Sequence, residues 1–160
     1  MKKIFLATIT LLAVTILFTS CAAKKSTVNN NIVSRGKFVG TWTLTAVTYD
    51  GLLPAAVQVV FNQGPAQSFV NSTWKLTNSG NGSYTLGDGS SQTIFWSVLN
   101  GDGMDTMFQF KKLFEGDKAQ KVDDGYRLVI GSNDGSSMVL KTPVAVGDKT
   151  GYIVYSFSKK

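Results

Sequence analysis

The chain of 160 residues contains no histidine, one cysteine and one glutamate, which leaves few groups for covalent or acid–base chemistry. Without histidine there is no imidazole base for a serine or cysteine triad, and the usual zinc ligand sets are absent. A paired-carboxylate hydrolase would need two aspartates held close together. Asp88, Asp102, Asp105, Asp117, Asp123, Asp124, Asp134 and Asp148 fall mostly in turn-like stretches instead, where aspartate ordinarily serves the turn itself. Asn100-Gly101-Asp102-Gly103-Met104-Asp105 has the outline of a calcium loop but lacks its spaced acidic run and terminal glutamate, so it reads as a hairpin turn. The inventory predicts a protein that is not an enzyme and needs no metal or cofactor.

Cys21 is the residue whose chemistry stands out. As the only cysteine it cannot form an intramolecular disulfide. Ahead of it come a positive start, Met1-Lys2-Lys3, an uncharged run from Ile4 to Phe18, and small polar Thr19 and Ser20. That order is the pattern of an export signal over residues 1–20. The run falls short of the about 20 apolar residues a membrane span needs, although an uncleaved N-terminal anchor helix remains the alternative. Leu17-Phe18-Thr19-Ser20-Cys21 resembles the bacterial lipobox, in which a small residue precedes a cysteine that receives diacylglyceryl and becomes the mature N-terminus. The resemblance implies a lipoprotein acylated at Cys21, with palmitate-type chains as its membrane anchor. Two or three acyl chains hold a protein firmly on a bilayer, whereas one binds only marginally.

Residues 21–37 are rich in Lys, Ser, Thr and Asn and have no hydrophobic period, as expected of a tether behind the anchor. In some bacterial groups an acidic cluster just after the lipid cysteine directs lipoproteins to the cell surface. None occurs here, which favours the periplasm-facing side of the cell envelope. Removing residues 1–20 leaves 14 basic against 10 acidic residues, a net charge of +4. A surplus this small, with scattered lysines, suits solubility better than a nucleic-acid stripe.

The side chains that remain must be positioned by strands. With 43% hydrophobic and 16% charged residues, the chain has enough apolar material for one core, over residues 38–160. Short β-branched and aromatic runs are punctuated by glycine with Asn, Asp or Ser. They predict strands at Val39–Tyr49, Val57–Asn62, Val70–Thr77, Ser83–Gly87, Gln92–Leu99, Thr106–Leu113, Gly125–Gly131, Ser137–Thr142 and Gly151–Ser158. Period two puts Trp42-Leu44-Ala46, Val57-Val59-Phe61, Trp74-Leu76, Tyr84-Leu86, Ile94-Trp96-Val98, Phe108-Phe110, Tyr126-Leu128-Ile130 and Met138-Leu140 on the apolar face. A sheet with one apolar and one wet face, joined by short turns, must curl over itself. The expected fold is an all-β, antiparallel up-and-down meander barrel of about eight strands. One long, charged connection, Phe114 to Asp124, is expected at a mouth of the barrel.

Gly40-Thr41-Trp42 at the start of the first strand resembles the Gly-X-Trp signature of lipocalins. Behind a lipoprotein signal, and with Gly82-Ser83-Tyr84-Thr85-Leu86 in mid-chain and an aromatic closing strand from Tyr152 to Phe157, the chain resembles the short lipocalin-like domains of bacterial lipoproteins. The resemblance implies a barrel with a ligand cavity, with Gly40 and Trp42 as structural motif residues and the Trp42 ring plugging the closed end against a basic side chain. Lys159 stands where an arginine often packs on that tryptophan. Two functions stay open, and the resemblance favours the first. Trp74, Tyr84, Trp96, Phe108, Phe110 and Met138 would line a cavity for a small apolar ligand, or they would fill the barrel and leave a non-enzymatic envelope interaction module. The expected partners are the bilayer through acylated Cys21 and, in the first case, that ligand. No nucleic acid is expected, and the protein is expected to be a monomer.

Overall fold

The computed structural model describes residues 33–100 and 105–160. The export signal, Cys21, the tether up to residue 32 and most of the Asn100–Asp105 turn lie outside the described residues. Eight strands follow one another: β1 (Gly40–Asp50), β2 (Thr73–Leu76), β3 (Asn81–Thr85), β4 (Ser91–Leu99), β5 (Met107–Lys112), β6 (Tyr126–Asn133), β7 (Ser137–Val146) and β8 (Lys149–Lys159). Each pairs antiparallel with the next, and β8 returns to β1, closing the ring. The all-β meander barrel read from period-two alternation is the fold observed.

Closure satisfies both edges of the sheet and leaves one apolar face, the inner one, to be filled. Strand direction sorts the connections into two ends. At the closed end lie the 3-10 turn Arg35–Phe38 that leads into β1 and the short links β2–β3, β4–β5 and β6–β7. The mouth carries the β1–β2 connection of residues 51–72, the β5–β6 connection of residues 113–125, and two tight turns.

Two bulges correct the simple alternation. In β1 the register shifts between Leu44 and Ala46, so Thr45 is an extra residue and its hydroxyl donates to the Ser156 carbonyl at 2.9 Å. The inward positions therefore run Trp42, Leu44, Val47, and Ala46 is only half-buried. In β6 the shift falls between Ile130 and Ser132, which puts Asn133 inside. A single inserted residue flips every later side chain to the other face, and periodicity alone does not reveal it.

Val57–Asn62 is not a strand. Its only ladder contact is an isolated bridge between Val60 and Gly64, and Val59 is 56% exposed. The run belongs to the β1–β2 connection, which is longer than the β5–β6 connection that the sequence singled out. Pro54 and Pro65 flank the run, and β1 and β2 already pair directly with each other near the closed end. Of its apolar residues, Val60 and Phe61 find burial by folding over the mouth.

The interior is packed with rings. Trp42, Trp96, Tyr84, Tyr155, Phe38, Phe69, Phe108 and Phe110 are all under 2% exposed. Phe108 lies nearly parallel to both Trp96 and Phe38, with centroids 5.7 and 5.6 Å apart. Trp96→Ala and Phe108→Ala should each lower stability by about 3–5 kcal/mol, the range for large aromatic truncations in a filled core. Urea unfolding of the purified protein measures this, and losses under about 1 kcal/mol at both sites would contradict the packing described.

Candidate functional site

The barrel interior gathers the six aromatic and thioether residues read from the sequence. Trp74, Tyr84, Trp96, Phe108, Phe110 and Met138 come from β2, β3, β4, β5 and β7 and all point inward, none more than 4% exposed. Trp74 stacks on Tyr84 with centroids 4.8 Å apart and meets Phe110 edge-on at 5.5 Å. The Trp74 indole N–H donates to the Ser72 hydroxyl at 2.9 Å, which accounts for a serine that is wholly buried. Gln109, on the face opposite the phenylalanines, is also covered, and its amide donates to Ser97 Oγ at 3.0 Å.

At the closed end the Trp42 side chain is wholly buried. Its indole N–H donates to the Phe38 carbonyl at 2.7 Å, and the Lys159 ammonium lies 5.3 Å from its ring centre. That placement needs a glycine at position 40. Gly40 has φ +139°, and a Cβ there would stand 2.5 Å from Lys159 Cε, the chain that crosses the tryptophan. Arg35 repeats the arrangement nearby, its guanidinium 4.8 Å from the Trp96 ring centre.

Phe61, Phe69, Tyr155 and Phe157 complete the interior and were not among the candidate lining residues. The two tyrosine and phenylalanine positions on β8 were legible as an aromatic closing strand. Phe61 was visible only as part of the misread run. It comes from a tight turn, closed by the Gln63 N–H donating to the Val60 carbonyl at 3.1 Å, in which Phe61 and Asn62 have φ of +54° and +48°. Positive φ at both central positions is the type I′ pattern, usually built from Asn and Gly. Placing phenylalanine there costs about 1–2 kcal/mol of backbone strain. The ring repays this by packing against Phe69, Phe110, Tyr126 and Tyr155, with centroids 5.1 to 5.6 Å away.

Among the described residues, the hollow inside the barrel has a free volume of about 10 Å³, lined entirely by apolar and aromatic side chains such as Leu44, Phe61, Trp74 and Tyr155. Larger hollows lie outside. An open groove of about 300 Å³ at the mouth is bordered by Asn62, Lys112, Phe114 and Tyr126, and one of about 330 Å³ runs beside β1 and β2 near Lys75. Burial pulls the Lys112 ammonium below its ordinary pKa. Among the described residues, no three His, Cys, Asp or Glu side chains converge on one point. No family model and no curated protein matches this chain.

Two phenols of the interior titrate abnormally. Burial pushes Tyr155 from 10.0 up to about 12. Burial, and to a smaller extent the Tyr126 phenol, does the same for Tyr84, whose hydroxyl donates to Gln63 Oε1 in the β1–β2 connection. A phenol whose pKa is raised on folding holds its proton longer in the folded state, so its contribution is complete below pH 10 and is lost as pH climbs towards 12. The urea midpoint should therefore fall over that interval, and Tyr155→Phe should flatten the fall. A midpoint independent of pH there would show the phenols to be freely hydrated.

Proposed function

We propose that this chain is a lipid-anchored lipoprotein of the bacterial cell envelope whose lipocalin-like barrel serves as a filled, non-enzymatic and monomeric interaction module. The observation that carries the reading is the filled interior. About 10 Å³ is free, against about 300 Å³ at the lower end of small-molecule sites. The lipocalin likeness draws support from Gly40 and Trp42 at the closed end, with Lys159 over the tryptophan. The anchor rests on the signal pattern of residues 1–20 and on Cys21 as the only thiol. Cys21→Ala should abolish incorporation of a labelled fatty acid and release the protein from membranes. Label persisting on that variant would remove the anchor from the reading.

One observation favours a second reading, in which the interior takes a small apolar ligand. The ring that fills the mouth belongs to a loop rather than a strand, and it is held in a strained left-handed turn. Unwinding the turn would relieve that strain and swing Phe61 outward, leaving a ring-sized vacancy among Phe69, Phe110, Tyr126 and Tyr155. A thermal-shift screen of the wild type and of Phe61→Ala against lipids, sterols, pigments and haem separates the two. The filled-module reading expects no stabilisation of the wild type. A ligand that raises the wild-type melting temperature with the logarithm of its concentration establishes the carrier instead.

A further inference from the structure

The two ends of the barrel differ in charge and in exposed apolar surface. Arg35 and Lys37 of the 3-10 turn, Lys75 on β2, and Lys159 and Lys160 at the end of β8 gather around the closed end, and all but Arg35 are exposed. Lys37 reaches the Asn133 carbonyl, at 3.4 Å, so the turn lies across the end of the barrel rather than trailing from it. Facing these five cations among the described residues are Asp105 and Asp134. The Asp134 carboxylate is occupied by four hydrogen bonds from Ser136 and Ser137, 2.6 to 2.9 Å long. In the sequence, the tether that leads to this end carries Lys24 and Lys25, and the segment between β4 and β5 carries Asp102.

The mouth differs. It holds seven acidic residues against six basic ones, Lys111, Lys112, Lys118, Lys121, Lys149 and Arg127, and four of the acids lie in residues 113–125. Exposed Leu53, Val59, Phe114 and Val146 all belong to connections or strand ends at the mouth. The closed end is thus cationic and free of large exposed apolar side chains among the described residues, as suits a surface that rests on charged head groups without inserting.

We propose that the closed end docks on an anionic lipid bilayer, so that the barrel stands on the membrane with its partly apolar mouth directed away. This rests on the anchor reading, because the chain from Cys21 reaches the barrel at the closed end. Eleven residues separate Cys21 from Val33, a span of at most about 40 Å. Charge complementarity supplies the orientation. Each basic side chain within a Debye length of an anionic leaflet favours the docked state about fivefold, whereas the mouth, whose charges nearly cancel, gains no such attraction.

The test uses the full-length lipidated protein reconstituted in vesicles of phosphatidylcholine with or without phosphatidylglycerol. An amine-reactive reagent, read by peptide mass spectrometry, reports each lysine. The expected result is that phosphatidylglycerol protects Lys37, Lys75 and Lys160 several-fold, that high salt removes the protection, and that Lys118, Lys121 and Lys149 at the mouth react equally in both vesicles. The paired variant Lys37→Glu/Lys75→Glu should lose the protection at Lys160. Even labelling of both ends on vesicles that carry the protein overturns the docking and leaves the anchor standing. Flotation with phosphatidylglycerol vesicles alone keeps the docking and removes the anchor. Flotation with neither removes both.

Discussion

Trp42 stands at the seam where the last strand meets the first. It pairs across to Trp74 on β2 and to Lys159 on β8, so the two halves of the ring are joined at its backbone. Its side chain closes the end of the barrel beneath that junction. The single polar hydrogen of the ring is taken up by the Phe38 carbonyl, and this ties the leading 3-10 turn to the base. An unmet indole N–H at such a depth would cost about 1–3 kcal/mol, and the turn that meets it also delivers Phe38 to Trp96 and Phe108. The stacked rings above it depend on that floor.

Strands build the lower interior, whereas a connection builds the upper part. Leu44, Trp74, Phe108 and Phe157 alternate inward from paired strands and are fixed by the ladder. Near the mouth the outer edge of β1 loses β2 as a partner, and the β1–β2 connection takes its place. The Leu44 N–H donates to Ser72, the Asn71 N–H to Leu44, and the Gln67 side chain to Val47. These bonds hold the connection against the sheet so that Phe61 and Phe69 point into the barrel. Residues 51–72 contain no charged side chain, which is what allows so long a connection to lie over an apolar mouth.

Strand number, order and most inward positions could be read from the sequence because each hairpin is local and its alternation repeats every two residues. Trp96 and Phe110 are cases in which period two was sufficient. The alternation failed at Thr45 and Gly131, where one extra residue changes the face, and it misjudged Val57–Asn62. That run has the composition of a strand, yet whether it finds an edge to pair with depends on contacts distant in the chain. The six candidate lining residues were legible for the same reason as the strands. Phe61 was not, since no local pattern announces a phenylalanine in a left-handed turn. Whether an inner face encloses a space or is closed by its own residues depends on that ring, so it could not be judged from alternation.

A barrel whose last filling group hangs from a loop separates two properties that usually change together. The strands and the Trp42 floor determine whether the ring assembles, and the residue at position 61 determines how much room it contains. Substitution in the turn can therefore hollow or refill the centre without disturbing a single rung of the ladder. A lineage built on this plan can move between a filled barrel and one with a ring-sized hollow by altering a few adjacent codons, leaving the costly part of the architecture untouched.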